Sequence, residues 1–301
     1  EFMARSLPGV EVRRGQNDPG VVMEGSTVDV ERTRAAVERW LTSWDDYIVT
    51  ERSFLRDRRI DLVLSDIAPQ PFFAAEELGI PSFGISNFTW HLIYTHLFGK
   101  TDVTDRIAEA YRAADGALLL PLHEPMEVFC NRREIGVVAR QVTRDREDLP
   151  ELPAGRPLVY LRPPGPAVPG SFSGCTCLVP SWTEIPGMIR IPPGETETQD
   201  WIAACDLVVS KPGYSTISEA IQAGVPMALF RRDGFAEDDY LIDGIERMGI
   251  GREIPAAAVL DGSWVDDLEG LIDLRENFDK IDDLFKRDGT KECIDILREM
   301  V

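Results

Sequence analysis

Asp206-Leu-Val-Val-Ser-Lys-Pro-Gly-Tyr-Ser-Thr-Ile-Ser-Glu-Ala-Ile-Gln-Ala-Gly-Val-Pro226 is the stretch on which the fold turns. Leu207, Val208 and Val209 form an unbroken apolar run, as expected of a strand buried on both faces of a parallel sheet. Lys211-Pro212-Gly213 make a turn, and a helical pattern begins at about Ser215 and runs to Ala223. Gly224 ends it, and Pro226–Phe230 reads as the next strand. In open parallel sheets, ligands bind where strands end and helices begin. Gly213 lets a ligand approach the backbone closely. The N–H groups of Tyr214, Ser215 and Thr216, with the helix dipole behind them, make an anion site suited to a diphosphate. Glu219 lies one turn further, on the face shared with Ser215 and Thr216. A carboxylate there is badly placed for phosphate and well placed for two vicinal hydroxyls, as on a ribose. The plainer reading makes Ser215-x-x-Ser218-Glu219 a helix cap, with Glu219 favourable near an N-terminus. Taken alone, the segment leaves these two readings level.

Outward from this stretch the same alternation continues. Upstream, strands are expected at Leu158–Leu161, Cys175–Val179 and Met188–Ile191, with a helix at Thr198–Ala204; downstream, a helix at Glu237–Met248 precedes a strand at Gly251–Ile254. An acidic helical tail is expected from about Trp264 to Met300. In the first half, Val37, Trp40, Leu41, Trp44, Tyr47, Ile48, Phe54 and Leu55 form a helical stripe that predicts one helix to about Arg58. Strands at Asp61–Asp66, Pro81–Ser86 and Ala117–Leu120 alternate with helices at 70–78 and 102–114, and Asn87 is the expected cap of the helix carrying Trp90, His91 and Tyr94. The charged, proline-punctuated residues 141–156 are the best linker, which divides the chain into domains 1–150 and 151–301.

Composition bounds the function. The chain has 301 residues, a formal net charge of −20, 44% hydrophobic and 28% charged residues, all in the range of globular proteins of about two domains. The negative excess repels phosphate backbones and anionic bilayers, so a nucleic-acid or membrane-surface partner is not expected. No apolar run approaches the ~20 residues of a membrane span, and no basic-then-apolar leader opens the chain, which reads as cytoplasmic. Glu1-Phe2-Met3 look like a cloning scar ahead of a start codon. Five scattered cysteines fit reduced thiols, with Cys175 and Cys177 on one strand face.

The run Asp206, Pro212, Gly213, Ser215, Thr216, Glu219, Ala220, Gly224 and Pro226 resembles the donor-binding region of GT-B glycosyltransferases, especially MurG-like enzymes. The resemblance implies two Rossmann-like α/β domains and a nucleotide-diphosphate sugar, UDP-linked, as partner. Its donor set here is Ser210, Gly213, Tyr214, Ser215, Thr216 and Glu219, extended by the loop Arg231–Tyr240 through Arg232, Glu237 and Asp238. MurG-like members often carry glutamines in that loop, so Glu237, Asp238 and Asp239 leave the sugar open. No metal and no cofactor are expected: such enzymes generally work without a metal, and successive helical carboxylates do not converge on an ion.

Asp61–Tyr94 looks like the glycosyltransferase-like domain that precedes the sugar kinase in plant arabinokinases. Chains of this kind begin with a strand, a Gly-His-Gly-type loop and a helix, and residues 1–27 match none of it, so the N-terminal domain reads as lacking its first βαβ unit. The family's usual histidine base is missing with that loop. Asp66, at a strand's carboxyl end, and His91 are the substitute catalytic candidates; Asn87 and Trp90 are the acceptor-side ones. Prolines in Arg162–Pro166 replace a glycine-rich loop near the phosphates and offer no N–H. The leading expectation is an inverting, metal-independent transfer from a UDP-sugar to an unidentified acceptor. The rivals are a catalytically degenerate nucleotide-sugar binder and a UDP-sugar 2-epimerase. By the same likeness, Phe278, Ile281, Leu284 and Phe285 would give the last helix its apolar stripe.

Overall fold

The computed structural model describes residues 5–300, apart from Gln16, Glu151, Ala154, Pro166, Ala167, Gly170 and Ser171. Glu1-Phe2-Met3, Pro166 of the proline-rich turn, and Glu151 and Ala154 of the expected linker therefore lie outside the described residues. The chain forms two compact α/β units. Of the described residues, one unit comprises 5–15, Ala139–Arg231 and Leu241–Asp282; the other comprises 17–138, Arg232–Tyr240 and 283–300.

The second unit opens with a hairpin, β1 (Met23–Glu24) and β2 (Thr27–Val28), that sequence reading missed. Helices α1 (Val30–Thr42) and α2 (Trp44–Asp57) follow. The expected single helix breaks at Ser43, whose hydroxyl donates to the Trp40 carbonyl at 2.7 Å. Such a side-chain bond competes with the helical ladder. Trp40 and Trp44 then pack edge-on across the break, centroids 4.9 Å apart, so the apolar stripe continues through a corner. Next come β3 (Val63–Ser65), α3 (Gln70–Glu76), β4 (Ser82–Ser86), α4 (Trp90–Phe98), α5 (Asp102–Arg112), β5 (Gly116–Leu119) and β6 (Arg132–Glu134). The strands form a parallel sheet in the order β3-β4-β5-β6. Charged β6 carries no apolar signal, which is why only the sheet reveals it. Thr89, not Asn87, caps α4: its backbone is extended and its hydroxyl oxygen accepts the Leu92 N–H at 3.2 Å. Phe72, Ile93, Tyr94, Ile107 and Tyr111 are the centre of this core.

The six-stranded unit contains β7 (Leu158–Leu161), β8 (Thr176–Val179), β9 (Ile189–Arg190), α6 (Thr198–Ala203), β10 (Leu207–Ser210), α7 (Tyr214–Ala223), β11 (Met227–Leu229), α8 (Glu237–Met248) and β12 (Gly251–Glu253). The first turn of α8, through Tyr240, groups with the four-stranded unit. All strands are parallel, in the order β12-β11-β10-β7-β8-β9. The chain therefore winds outward from β7 in one direction and returns to build the other half from β10. Every residue of β7 and β10 is buried, matching their apolar runs.

The acidic tail is helical in separate pieces. It runs through α9 (Ala256–Asp261), 3₁₀ turns, α10 (Leu268–Ile272) and α11 (Gly289–Arg298). Aspartate side chains compete for nearby amides and disfavour continuous helix, as where Asp261 accepts the Ser263 N–H at 2.9 Å. The residues that α11 buries are Gly289, Cys293 and Ile296, not the expected set at 278–285. Within the charged stretch, Thr143 and Arg144 are fastened: both bond Asp200, and Arg144 also bonds Glu195. Among the described residues no helix is long and apolar enough to cross a membrane.

Candidate functional site

The six-stranded sheet reverses its winding between β7 and β10, and the carboxyl ends of two such strands bound the crevice where doubly wound sheets bind ligands. The turn Lys211-Pro212-Gly213 leaves β10 there and feeds α7. Gly213 is the N-cap, at φ −139° and ψ 126°, with no side-chain cap. Its carbonyl takes the Ile217 N–H at 3.0 Å, closing the first helical turn. Any residue adopts that φ, and an added Cβ would meet only Lys211 Nζ, 3.7 Å away in ordinary van der Waals contact. The fold thus makes no demand for glycine at this position, and the absence of a side chain leaves the backbone open to close approach. Ser210 is buried at the end of β10, and its hydroxyl donates to the Lys211 carbonyl, bracing the turn. On the β7 side, Arg162 N–H is spent on the Val209 carbonyl at 2.8 Å, and Pro163 and Pro164 have none.

Glu219 projects from the second turn of α7 and is 6% exposed. Burial raises its pKa, partly offset by Arg140. Arg140 places Nε at 2.9 Å and Nη2 at 2.7 Å from the same oxygen, Oε1. The guanidinium is held in turn by the Thr196 carbonyl and by Thr198 Oγ1. Among the described residues no protein group donates to Oε2, which leaves one lone-pair edge of a pre-oriented carboxylate to an incoming hydroxyl donor.

The loop Arg231–Tyr240 is arranged otherwise than a free cationic loop. Arg231 pairs bidentately with Glu253 at 3.0 and 3.1 Å. Arg232 grips fully buried Asp238, Nη2 to Oδ1 at 2.5 Å, and lies 3.8 Å over the Phe235 ring. Asp238 also accepts the Arg232 backbone N–H. Glu237 accepts from Asn87 Nδ2 at 3.0 Å. Asn87 and Glu237, 150 positions apart in sequence, thus meet in the four-stranded unit, where residues 232–240 also fold.

In that unit, Asp66 follows β3 at its carboxyl end. Its side chain reaches solvent, yet the protein packed around the carboxyl raises its pKa, and the charge of Asp18 raises it further. Asp18 is itself raised by burial, partly relieved by the Gly20 N–H at 3.0 Å. The indole N–H of Trp90 lies in electrostatic reach of Asp18 without hydrogen-bond geometry. Trp90 is buried, stacked on Tyr94 at 5.3 Å, and Tyr94 donates to the Gly20 carbonyl at 3.0 Å. Asp18 and Asp66 therefore form a repelling carboxylate pair beside Trp90. His91 has different surroundings: burial and then Arg112 lower its pKa, against Asp105.

Sequence reading missed Asp18, Glu124 and Arg140. Asn17-Asp18-Pro19-Gly20 is a turn signature that carries no functional mark. Glu124 lies in the loop after β5, a strand's carboxyl end, and that rule would have found it. Arg140 reaches Glu219 across 79 positions, which no local pattern encodes.

No family model matches the chain. L-arabinokinase of Arabidopsis thaliana is 28% identical over 290 residues, covering 89% of this chain, and the chain spans 28% of that protein's length. Among solved structures, the calicheamicin glycosyltransferase CalG4 superposes with a TM-score of 0.66 at 13% identity, covering 99% of this chain and 88% of that one. MurG of Acinetobacter baumannii gives 0.55 at 13% identity, covering 86% and 78%. The spinosyn rhamnosyltransferase SpnG complexed with thymidine diphosphate gives 0.57 at 13% identity, covering 89% and 83%. With its two Rossmann-like α/β units, the chain has the fold of the GT-B glycosyltransferases.

Proposed function

We propose that this chain binds a UDP-sugar and transfers the sugar to an acceptor hydroxyl, with inversion and without a metal. The observation that carries the reading is the helix start at the winding reversal: α7 begins where β10 ends, behind a glycine the fold does not need. The amides of Tyr214, Ser215 and Thr216 hold the diphosphate, and Glu219 Oε2 takes the ribose hydroxyls while Arg140 steadies the other oxygen. In transfer, the acceptor oxygen bonds to the anomeric carbon as the carbon–oxygen bond to the diphosphate breaks. The leaving charge falls on the phosphate oxygens. The hydroxyl proton goes to a carboxylate, for which Asp66 is the candidate, its affinity for a proton increased by Asp18 and burial. Asn87 and Trp90 serve the acceptor, and Arg232, Glu237 and Asp238 shape the loop rather than neutralise phosphate. A UDP donor is supported by the ribose clasp, and a nucleoside diphosphate by the thymidine diphosphate in the SpnG complex. Soluble residence in the cytoplasm completes the proposal.

Calorimetric titration with UDP and thymidine diphosphate tests it. UDP is expected to bind about tenfold or more tighter, because the deoxyribose leaves a buried acceptor unpaired. Glu219→Ala should erase that preference; equal affinities in the unaltered protein would refute the clasp. The second reading, a binder without chemistry, is favoured by the Arg140 contact on Glu219 and by the prolines of the Arg162 turn. It predicts the same titration but no loss of UDP-sugar over an acceptor screen. The 2-epimerase reading has no observation of its own in its favour.

A further inference from the structure

The four-stranded unit contains a cavity of about 430 Å³ between α4, the loop after β5 and the start of α8, of a size that takes a small organic molecule. Leu92, Met126 and Val128 give it apolar walls. Its charged and titratable lining is Glu124, Glu127, His91, His96 and Tyr240; among the described residues no lysine or arginine lines it. Glu124 is 4% exposed. Its protein hydrogen bonds come from Thr89, and among the described residues no cation pairs with it. A buried carboxylate without a cationic partner is costly to charge. The loop holds it there against that cost: Glu124 N–H donates to the Asn87 carbonyl at 2.9 Å, and Leu122 and Met126 on either side adopt left-handed φ of 62° and 44°, conformations that are uncommon outside glycine.

We propose that this cavity binds an organic amine, whose ammonium group takes the place of the missing cation beside Glu124 while its hydrocarbon body lies against Leu92, Met126 and Val128. The inference stands apart from the nucleotide reading, since no residue of the donor motif lines the cavity.

Three probes of one shape separate charge from hydrophobic filling: hexylamine, hexanol and hexanoate, each titrated into the full chain without nucleotide and followed by the His91 and His96 ring resonances. Hexylamine is expected to bind and shift both, with hexanol and hexanoate weaker by about tenfold or more. Affinity should rise with pH through about 7, because burial has pushed Glu124 up to about 7 and only its ionised form attracts an ammonium. Burial lowers the His91 pKa, so its protonation falls below that range and adds charge that works in the same direction. Glu127 and Tyr240 complete the titratable lining, while Arg112 and Asp105 act on His91 from outside the cavity wall. Glu124→Gln keeps an acceptor for Thr89 and should cost the amine about tenfold while leaving hexanol unchanged. Leu92→Trp, which fills the cavity, should abolish all binding, with folding verified by circular dichroism. Tighter binding of hexanoate than of hexylamine, or amine affinity unaffected by Glu124→Gln, would overturn the proposal. UDP binding is read separately, so its failure would leave this result standing, and the reverse.

Discussion

Glu124 and Glu219 show two ways of burying one carboxyl type. Glu219 has a guanidinium on one oxygen; Glu124 has only Thr89. The difference has a consequence for stability. The Glu124 pKa rises from 4.5 to about 7 on folding. The folded state therefore holds a proton that the unfolded state releases between those values, and stability is lost as pH rises through that window. Glu124→Gln removes the ionisation, so its advantage over the parent should be absent at pH 4, grow to ~3 kcal/mol and level off above about pH 7. Urea unfolding at pH 4, 6 and 8 measures this, and a pH-independent difference would contradict it. Arg232 makes the opposite case. Its guanidinium is the charge partner of fully buried Asp238, so Arg232→Met should cost ~3–5 kcal/mol by leaving a buried charge unpaired. The same urea titration reads it, and a loss under ~1 kcal/mol, the scale of an exposed pair, would contradict it. At this scale the sequence was readable where chemistry follows a local rule, as at Glu219 on the face of Ser215. It was silent where partners come from afar, as with Arg140 on Glu219 or Asn87 on Glu237.

Among the elements, buried strands were the most legible, because β7 is apolar throughout and β10 is apolar up to its terminal Ser210. Breaks were the least. The stripe through Trp40 and Trp44 continues across Ser43, since a helical corner preserves the burial pattern that periodicity detects. Strand β6, Arg132–Glu134, is paired with β5 by backbone alone and left no trace in side-chain pattern. Glycines separate structural need from functional need. Gly289 is required by packing: a Cβ there would lie 2.0 Å from the Gly136 carbonyl oxygen. Gly289→Ala should therefore lose ~1–3 kcal/mol or more, read from the denaturant midpoint. Gly213→Ala should leave that midpoint within ~0.5 kcal/mol and yet weaken UDP binding several-fold. If Gly213→Ala unfolded the protein and Gly289→Ala did not, the assignment of the two roles would be reversed.

For the molecule as a whole, the net charge of −20 makes any anion site a local exception built from backbone dipoles. The parallel α/β alternation predicted both units, and only coordinates reveal that the segments Arg232–Tyr240 and Asp283 onward fold with the earlier part of the chain. Binding to a site formed only by folding should stabilise the protein by mass action, about 2.7 kcal/mol at a hundredfold excess over Kd. Thermal melts should accordingly shift upward with UDP concentration, and less in Glu219→Ala. The most direct measurement is a crystal structure of the chain grown with UDP. The account predicts the two phosphates against the amides of Tyr214, Ser215 and Thr216 and the ribose hydroxyls on Glu219. Electron density for UDP elsewhere, with Glu219 still closed on Arg140 alone, would contradict it.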